Sequence, residues 1–217
     1  MEATRRSPRD AAARDLDPLV HRRRRRCSHP WAVAALAITI AGCGRAARPG
    51  RLAPDPPIQQ DLASQGAPIR LHGCTLVPLA RIRVAARVLG AQRYRFDREA
   101  ALAPVDLALG WGPMSDDEVL SDLSITQMAR YYMWSGHPLP LEPAQIVTNS
   151  ANMHMIPATD AVRGELLRVR RDDVVRFSGS LVRVEGAGGW TWTSSLSRRD
   201  TGGGSCEVVL VDSLSRD

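Results

Sequence analysis

Apolar and polar residues alternate from Arg81 to Val88: Ile82, Val84, Ala86 and Val88 share one face, Arg81, Arg83 and Arg87 the other. A period of two marks a half-buried strand. Leu89-Gly90-Ala91 predicts a turn, and Tyr94 and Phe96, alternating with Arg93 and Arg95, a return strand. PVDLALGW, 104–111, predicts another short strand. Ser115 is placed to cap a short helix whose first turn holds Asp116, Asp117 and Glu118. Residues 124–134 read as one strand, partly apolar on both faces, and a proline-rich loop follows from Gly136 to Pro143. A second helix is expected over 159–169, with Thr159 as its cap. Val175, Phe177 and Leu181 share a strand face, Val182 and Val184 break its parity, and Gly179 between them predicts a bulge. EGAGG, 185–189, predicts a hairpin loop; 190–196 returns with Trp190 and Trp192 on one face, and 206–211 closes the sheet. The expectation is a mainly β fold with two short helices. A small antiparallel barrel, OB-like, comes first, and an irregular α+β sheet is the alternative.

A different pattern precedes this domain. Trp31 to Ala41 is apolar except for Thr39, with Pro30 in front and Arg45, Arg48 and Arg51 behind. A membrane-spanning helix needs about 20 such residues; this run has the length of a secretory signal core. Arg22 to Arg26 form the positive block expected on its cytoplasmic side. The run ends Ile40-Ala41-Gly42-Cys43. This resembles the lipobox of bacterial lipoproteins. The resemblance implies diacylation of the Cys43 thiol, cleavage before it and acylation of the new amine. Residues 1–42 are then a leader, 43–67 a lipid anchor and a flexible Pro-, Gly- and Ala-rich tether, and 68–217 a single β-rich domain. Gly44 follows the cysteine. The absence of Asp there resembles the outer-membrane-sorted pattern, so the expected location is the periplasmic face of the outer membrane.

Charge changes its meaning once the leader is set apart. The chain carries +6, all its bases are arginine, and residues 1–42 hold nine arginines against four acids. The mature part, with 20 arginines and 19 acids, is nearly neutral. No nucleic-acid partner is therefore expected, since that needs a basic patch on the folded domain. The expected partners are the membrane, through the lipid, and an envelope protein or polysaccharide.

LALGWGPMSD, SANMHMIPA and GWTWTSSLSRRDTGGGSCE are similar to signatures of a family of uncharacterised bacterial proteins. The resemblance spreads over most of 81–212 and implies a shared domain without an assigned reaction.

Four groups of residues invite chemistry. Asp200-Thr201-Gly202 resembles the aspartic-protease triplet, but Arg199 and two more glycines flank it where apolar strands belong, and a surface turn fits better. Cys206 with His154 as base is a candidate thiol nucleophile; its alternation with Val208 and Leu210 points the thiol into the core. Met153, His154 and Met155 are soft ligand types suited to copper, yet on a strand His154 points away from the two methionines. Trp190 and Trp192 on one strand face make either core or an aromatic platform, and are the candidate binding surface. G-x-S-x-G, H-E-x-x-H, P-loop and C-x-x-C motifs are missing from the sequence. No catalytic residue, metal or cofactor is assigned. Cys74 and Cys206 remain after Cys27 and Cys43 are set aside, and an oxidising compartment would allow a disulfide between them. Function divides between a non-catalytic envelope binding domain and an envelope hydrolase or transferase using Cys206 with His154, or Asp200.

Overall fold

The computed structural model of the protein describes residues 50–217. The leader, the Cys43 box and the start of the tether lie outside the described residues. The fold is mainly β: the described residues form ten strands, three α-helices and an eight-stranded mixed sheet beside a two-stranded hairpin. Among the described residues no helix is long and apolar enough to cross a membrane.

The central strand is β3 (Cys74–Arg93), 20 residues long. It runs straight through Leu89-Gly90-Ala91, where a turn was expected; the register only shifts between Val88 and Gly90. Gly90 is needed for another reason. A Cβ there would stand 2.5 Å from the Gln127 side chain. Short strands β1 (Ile58–Asp61) and β2 (Ile69–Leu71) flank β3 antiparallel. The folded unit thus begins inside the expected tether: Ala53 is buried, its N–H donates to Ser115 Oγ, and Gln59 and Asp61 pair with β3. An edge strand buries little, so no hydrophobic period announced it.

β4 (Val105–Gly110) pairs antiparallel with β3 and with β7 (Ser150–Pro157). β8 (Val174–Glu185) pairs antiparallel with β3 over twelve positions and with β10 (Glu207–Arg216). β7 and β10 run parallel. Following the pairs from β3 through β4, β7, β10 and β8 leads back to β3. That parallel pair corrects the expected all-antiparallel arrangement. The connection from β7 goes out through α3 (Asp160–Leu166), β8 and β9 (Thr191–Thr193) before β10 returns. A hairpin cannot join parallel neighbours, and such an excursion can.

Alternate residues of these five strands meet in one core: Ile82, Val84, Ala86 and Val88; Leu107 and Leu109; Met153 and Met155; Val175, Phe177 and Leu181; Val209 and Val211. Val162 and Leu166 of α3 pack into it. The α3 cap is as expected: Thr159 Oγ1 accepts from the Val162 N–H. Val182 and Val184 keep the strand period and face a second apolar cluster with Leu76, Val208 and Leu210. The bulge predicted at Gly179 falls on the opposite strand, where the β10 register shifts between Val211 and Ser213. Gly179 is required by close approach, since a Cβ would stand 2.2 Å from the Leu210 carbonyl oxygen.

The expected strand over 124–134 is a hairpin, β5 (Ser124–Met128) and β6 (Tyr131–Ser135). Its turn is Ala129-Arg130, both at positive φ, 50° and 66°. Two-residue hairpin turns normally carry Asn or Gly there, so the turn was not recognisable. α1 (Asp117–Ser121) is capped by Asp116, not Ser115. Ser115 is buried and tied to Ala53 and Gly112. Asp117 and Asp172 hold Arg87, which is buried rather than solvent-facing. α2 (Pro143–Thr148) occupies the end of the proline-rich loop as a third helix. Glu142 and Gln145 form its capping box and Pro143 its first turn, a start signal that proline also provides.

Candidate functional site

The outer face of β4 and β7 carries Asp106, Asn152 and His154, the residues that alternate with the core positions. β5 and β6 lie over this face. Ile125, Trp134 and Tyr132 turn inward and pack with Ala108, Met114 and Ile146. Gln127 Nε2 donates to Asn152 Oδ1 at 2.8 Å, and the Tyr132 hydroxyl lies 2.7 Å from Ser150 Oγ. Ser150 Oγ itself donates to the Ile146 carbonyl, so Tyr132 is the donor of that pair. Burial raises the Tyr132 hydroxyl above the ordinary tyrosine range. The outward residues of the hairpin, Met128, Tyr131 and Met133, are 65%, 49% and 47% exposed.

Between this hairpin, the start of β7 and the loop 197–205 is a cavity of 420 Å³. The hairpin side of its mouth is apolar: Met128, Tyr131 and Met133. Tyr132, Trp134 and Ala151 line it further in. Arg198, Asp200, Cys206 and Glu207 supply its polar wall. Glu207 is 2% exposed. Arg198 Nη1 donates to Glu207 Oε1 at 2.7 Å, whereas Oε2 finds no hydrogen-bond donor among the described residues. Burial pushes the Glu207 carboxyl up to about 7, against the pull of Arg198. Asp200 Oδ2 accepts from Ser195 Oγ at 2.7 Å and sits in the loop, as a turn residue should.

Cys206 lies against Asn152 Nδ2 and the Arg130 carbonyl, at 4.0 and 3.8 Å. Burial, with Glu207, Asp106 and Asp200 adding repulsion, raises its thiol to about 11. At neutral pH it is a neutral thiol and a poor nucleophile. His154 does not line the cavity. Its Nδ1 is 2.9 Å from Asp106 Oδ2, an ion-pair contact, and among the described residues neither atom makes a hydrogen bond. Its ring packs 4.7 Å from Trp192. The residues that flank His154 are core, Met153 and Met155 both fully buried on the opposite face. The three are therefore not brought together.

Beside the cavity is a polar network invisible in the sequence. Arg130 Nη2 and Nε reach both Asp97 oxygens at 2.7 and 2.9 Å, and Nη1 reaches Asp106 Oδ1 at 2.9 Å. The Arg130 N–H donates to Tyr94 Oη, and its carbonyl accepts from Asn152 Nδ2. The guanidinium stacks 4.2 Å from Tyr94 and 5.6 Å from Trp192. Hydrogen bonding by Arg130 lowers the Asp97 carboxyl below its ordinary range. Asp106 is fully buried. This closed set of contacts over-determines the positive-φ turn and fixes the hairpin over β4 and β7. The alternation Asp106, Ala108 against Leu107, Leu109 was the one signal that a polar residue lay on a strand's second face.

Trp190 and Trp192 are half-buried and pack on the second apolar cluster with Cys74, their rings 6.2 Å apart. Arg98 and Arg130 cover part of them. Of the two roles open to them, core or exposed platform, they take up packing on the second cluster. Cys74 and Cys206 are both free. The disulfide that the sequence allows between them is not formed in the structure: Cys74 starts β3 beside Gly186, and Cys206 precedes β10 beside Asn152. No family model, curated protein or solved structure matches the chain.

Proposed function

We propose that this chain is a lipid-anchored protein of the bacterial cell envelope, held through Cys43 at the periplasmic face of the outer membrane. Its β domain is a non-catalytic binding domain for an envelope protein or polysaccharide. The anchor rests on the leader and box of the sequence. The binding role rests on one observation: an apolar, aromatic hairpin edge opens onto a buried carboxyl, while the nucleophile and base candidates of the sequence are held in other contacts. Cys206 is held as thiol, Asp200 is bound by Ser195, and His154 lies under Trp192.

We read the circuit β3-β4-β7-β10-β8 as an OB-like barrel. In such barrels, ligands use the face of the second and third strands and the loop between the fourth and fifth. Here those are β4, β7 and the β8–β10 connection, the last two of which line the cavity. A likeness of fold does not itself carry function, and the cavity's own chemistry is the stronger support.

The test uses the lipidated protein as bait in solubilised envelopes, compared with Tyr131→Ala and Met133→Glu. Both positions are exposed, so the fold is retained. A captured partner lost in both variants supports the reading; capture that survives both overturns it. A hydrolase built on two carboxylates is the second reading, favoured by a Glu207 carboxyl near 7 on the same cavity as Asp200. It requires turnover of an envelope polymer that Asp200→Asn abolishes.

A further inference from the structure

The polar wall of the cavity has one-sided charge. Asp200 and Glu207 line it against a single guanidinium, Arg198. That guanidinium is already engaged, with Nη1 on Glu207 Oε1 at 2.7 Å and Nη2 on Gln59 Oε1 at 2.6 Å. Glu207 Oε2 is buried and receives no hydrogen bond among the described residues. A buried acceptor in that state calls for a donor. The groups facing Glu207 are Arg198 and Asp200 from the loop, Cys206 from its own chain and Tyr132 from β6. Cys206 stays a thiol, and Tyr132 donates to Ser150, so neither supplies a positive charge.

The walls fit the same kind of guest. Tyr131, Tyr132 and Trp134 present aromatic rings, which attract cations through their π-faces. Met128 and Met133 give an adaptable apolar rim suited to an alkyl stem. An anion would meet two carboxylates, and a purely apolar guest would leave Oε2 unpaired.

Building on the reading of this cavity as a binding site, we propose that it takes an organic monocation, an ammonium or guanidinium on an apolar stem. The charged head meets Glu207 Oε2 and Asp200, and the stem leaves between Tyr131 and Met133. Such a head is carried by a free alkylamine and by a basic side chain of a peptide.

The experiment is calorimetric titration of the full-length lipidated protein in detergent. The probes are n-butylammonium, for the free amine, and N-acetyl-lysine methylamide, for the side chain. The ε-acetylated form of the latter is the neutral control. Saturable binding is expected for at least one cation, roughly tenfold tighter than for the neutral control. Glu207→Gln and Asp200→Asn should each weaken it by a similar factor. Asp200 is in a surface loop, so its variant remains informative if Glu207→Gln misfolds. Equal binding of the neutral control, no binding of either cation, or affinity unchanged in both variants overturns the inference. If the cation result is negative but Tyr131→Ala and Met133→Glu still abolish capture of an envelope partner, the cavity remains a binding site for a guest of other chemistry. If capture also survives, both readings fail.

Discussion

Replacing Glu207 with Gln should change how stability depends on pH, and the size of the change can be worked from its surroundings. The folded carboxyl titrates at about 7, against 4.5 for an ordinary glutamate, because burial penalises its charge more than Arg198 compensates. In the unfolded chain the group loses its proton near its ordinary value. Between those two values the folded state therefore binds more protons than the unfolded state, and stability falls as pH rises. Below about 4.5 the group contributes no penalty; above about 7 the penalty is complete. At about 1.4 kcal/mol per pH unit the full loss is about 3 kcal/mol. Urea unfolding under reductant, at several pH values from 4.5 to 8, measures it. The wild type should lose about 3 kcal/mol more across this range than Glu207→Gln. Absolute stability is not the readout, since Gln also leaves Arg198 without its ion pair. Parallel pH profiles for the two proteins would refute the reasoning and place the Glu207 carboxyl in contact with water.

Three further outcomes are expected. Gly179→Ala drives a methyl group against the Leu210 carbonyl and should cost about 1–3 kcal/mol in urea unfolding, with an unchanged midpoint refuting the close approach. Asp106→Asn leaves Arg130 short of a buried partner and should cost about 3–5 kcal/mol; circular dichroism melts report it, and a near-neutral change would mean that Asp97 alone suffices. Cys206 should react with iodoacetamide much more slowly than a free thiol at pH 8, because its thiol titrates at about 11; mass spectrometry of the tryptic peptide gives the rate, and alkylation at the rate of free cysteine contradicts the buried thiol.

Strands whose two faces differ were legible, and of the two buried on both faces β4 was legible as a short apolar run while β7 was not. Ile82 to Val88 and Val175 to Leu181 alternate because one face meets the core, and both are strands. β7 alternates Ala151, Met153 and Met155 with Asn152 and His154, but because its polar face is buried as well, its central position could not be read. The hairpin turn at Ala129-Arg130 was hidden because its backbone is held by Arg130's partners rather than by glycine. Arg87 looked solvent-facing by parity, but its partners, Asp117 and Asp172, come from distant segments. Tertiary pairing also separates the site from its sequence signs. Asp200 and Cys206 carry sequence signals, but the tryptophan that lines their cavity is Trp134, not Trp190 or Trp192. Glu207 carries no local signal, since a lone glutamate at the start of a strand has no pattern; its burial comes from β7 and from the loop folding over it.

The place of β10 between β7 and β8 has a consequence for how the chain reaches its fold. β7 ends at Pro157 and β10 begins at Glu207, so β7 waits through α3, β8 and β9 for its parallel neighbour. Until then, two long apolar strands present open hydrogen-bonding edges, the kind of surface that recruits other chains. Loop closure over such a span slows assembly. A polypeptide threaded N-terminus first through a translocation pore would emerge with this gap unfilled. Its dependence on holding factors would therefore be greatest in the interval before Glu207–Arg216 arrives, and a truncation that removes those residues should yield aggregate rather than a smaller domain.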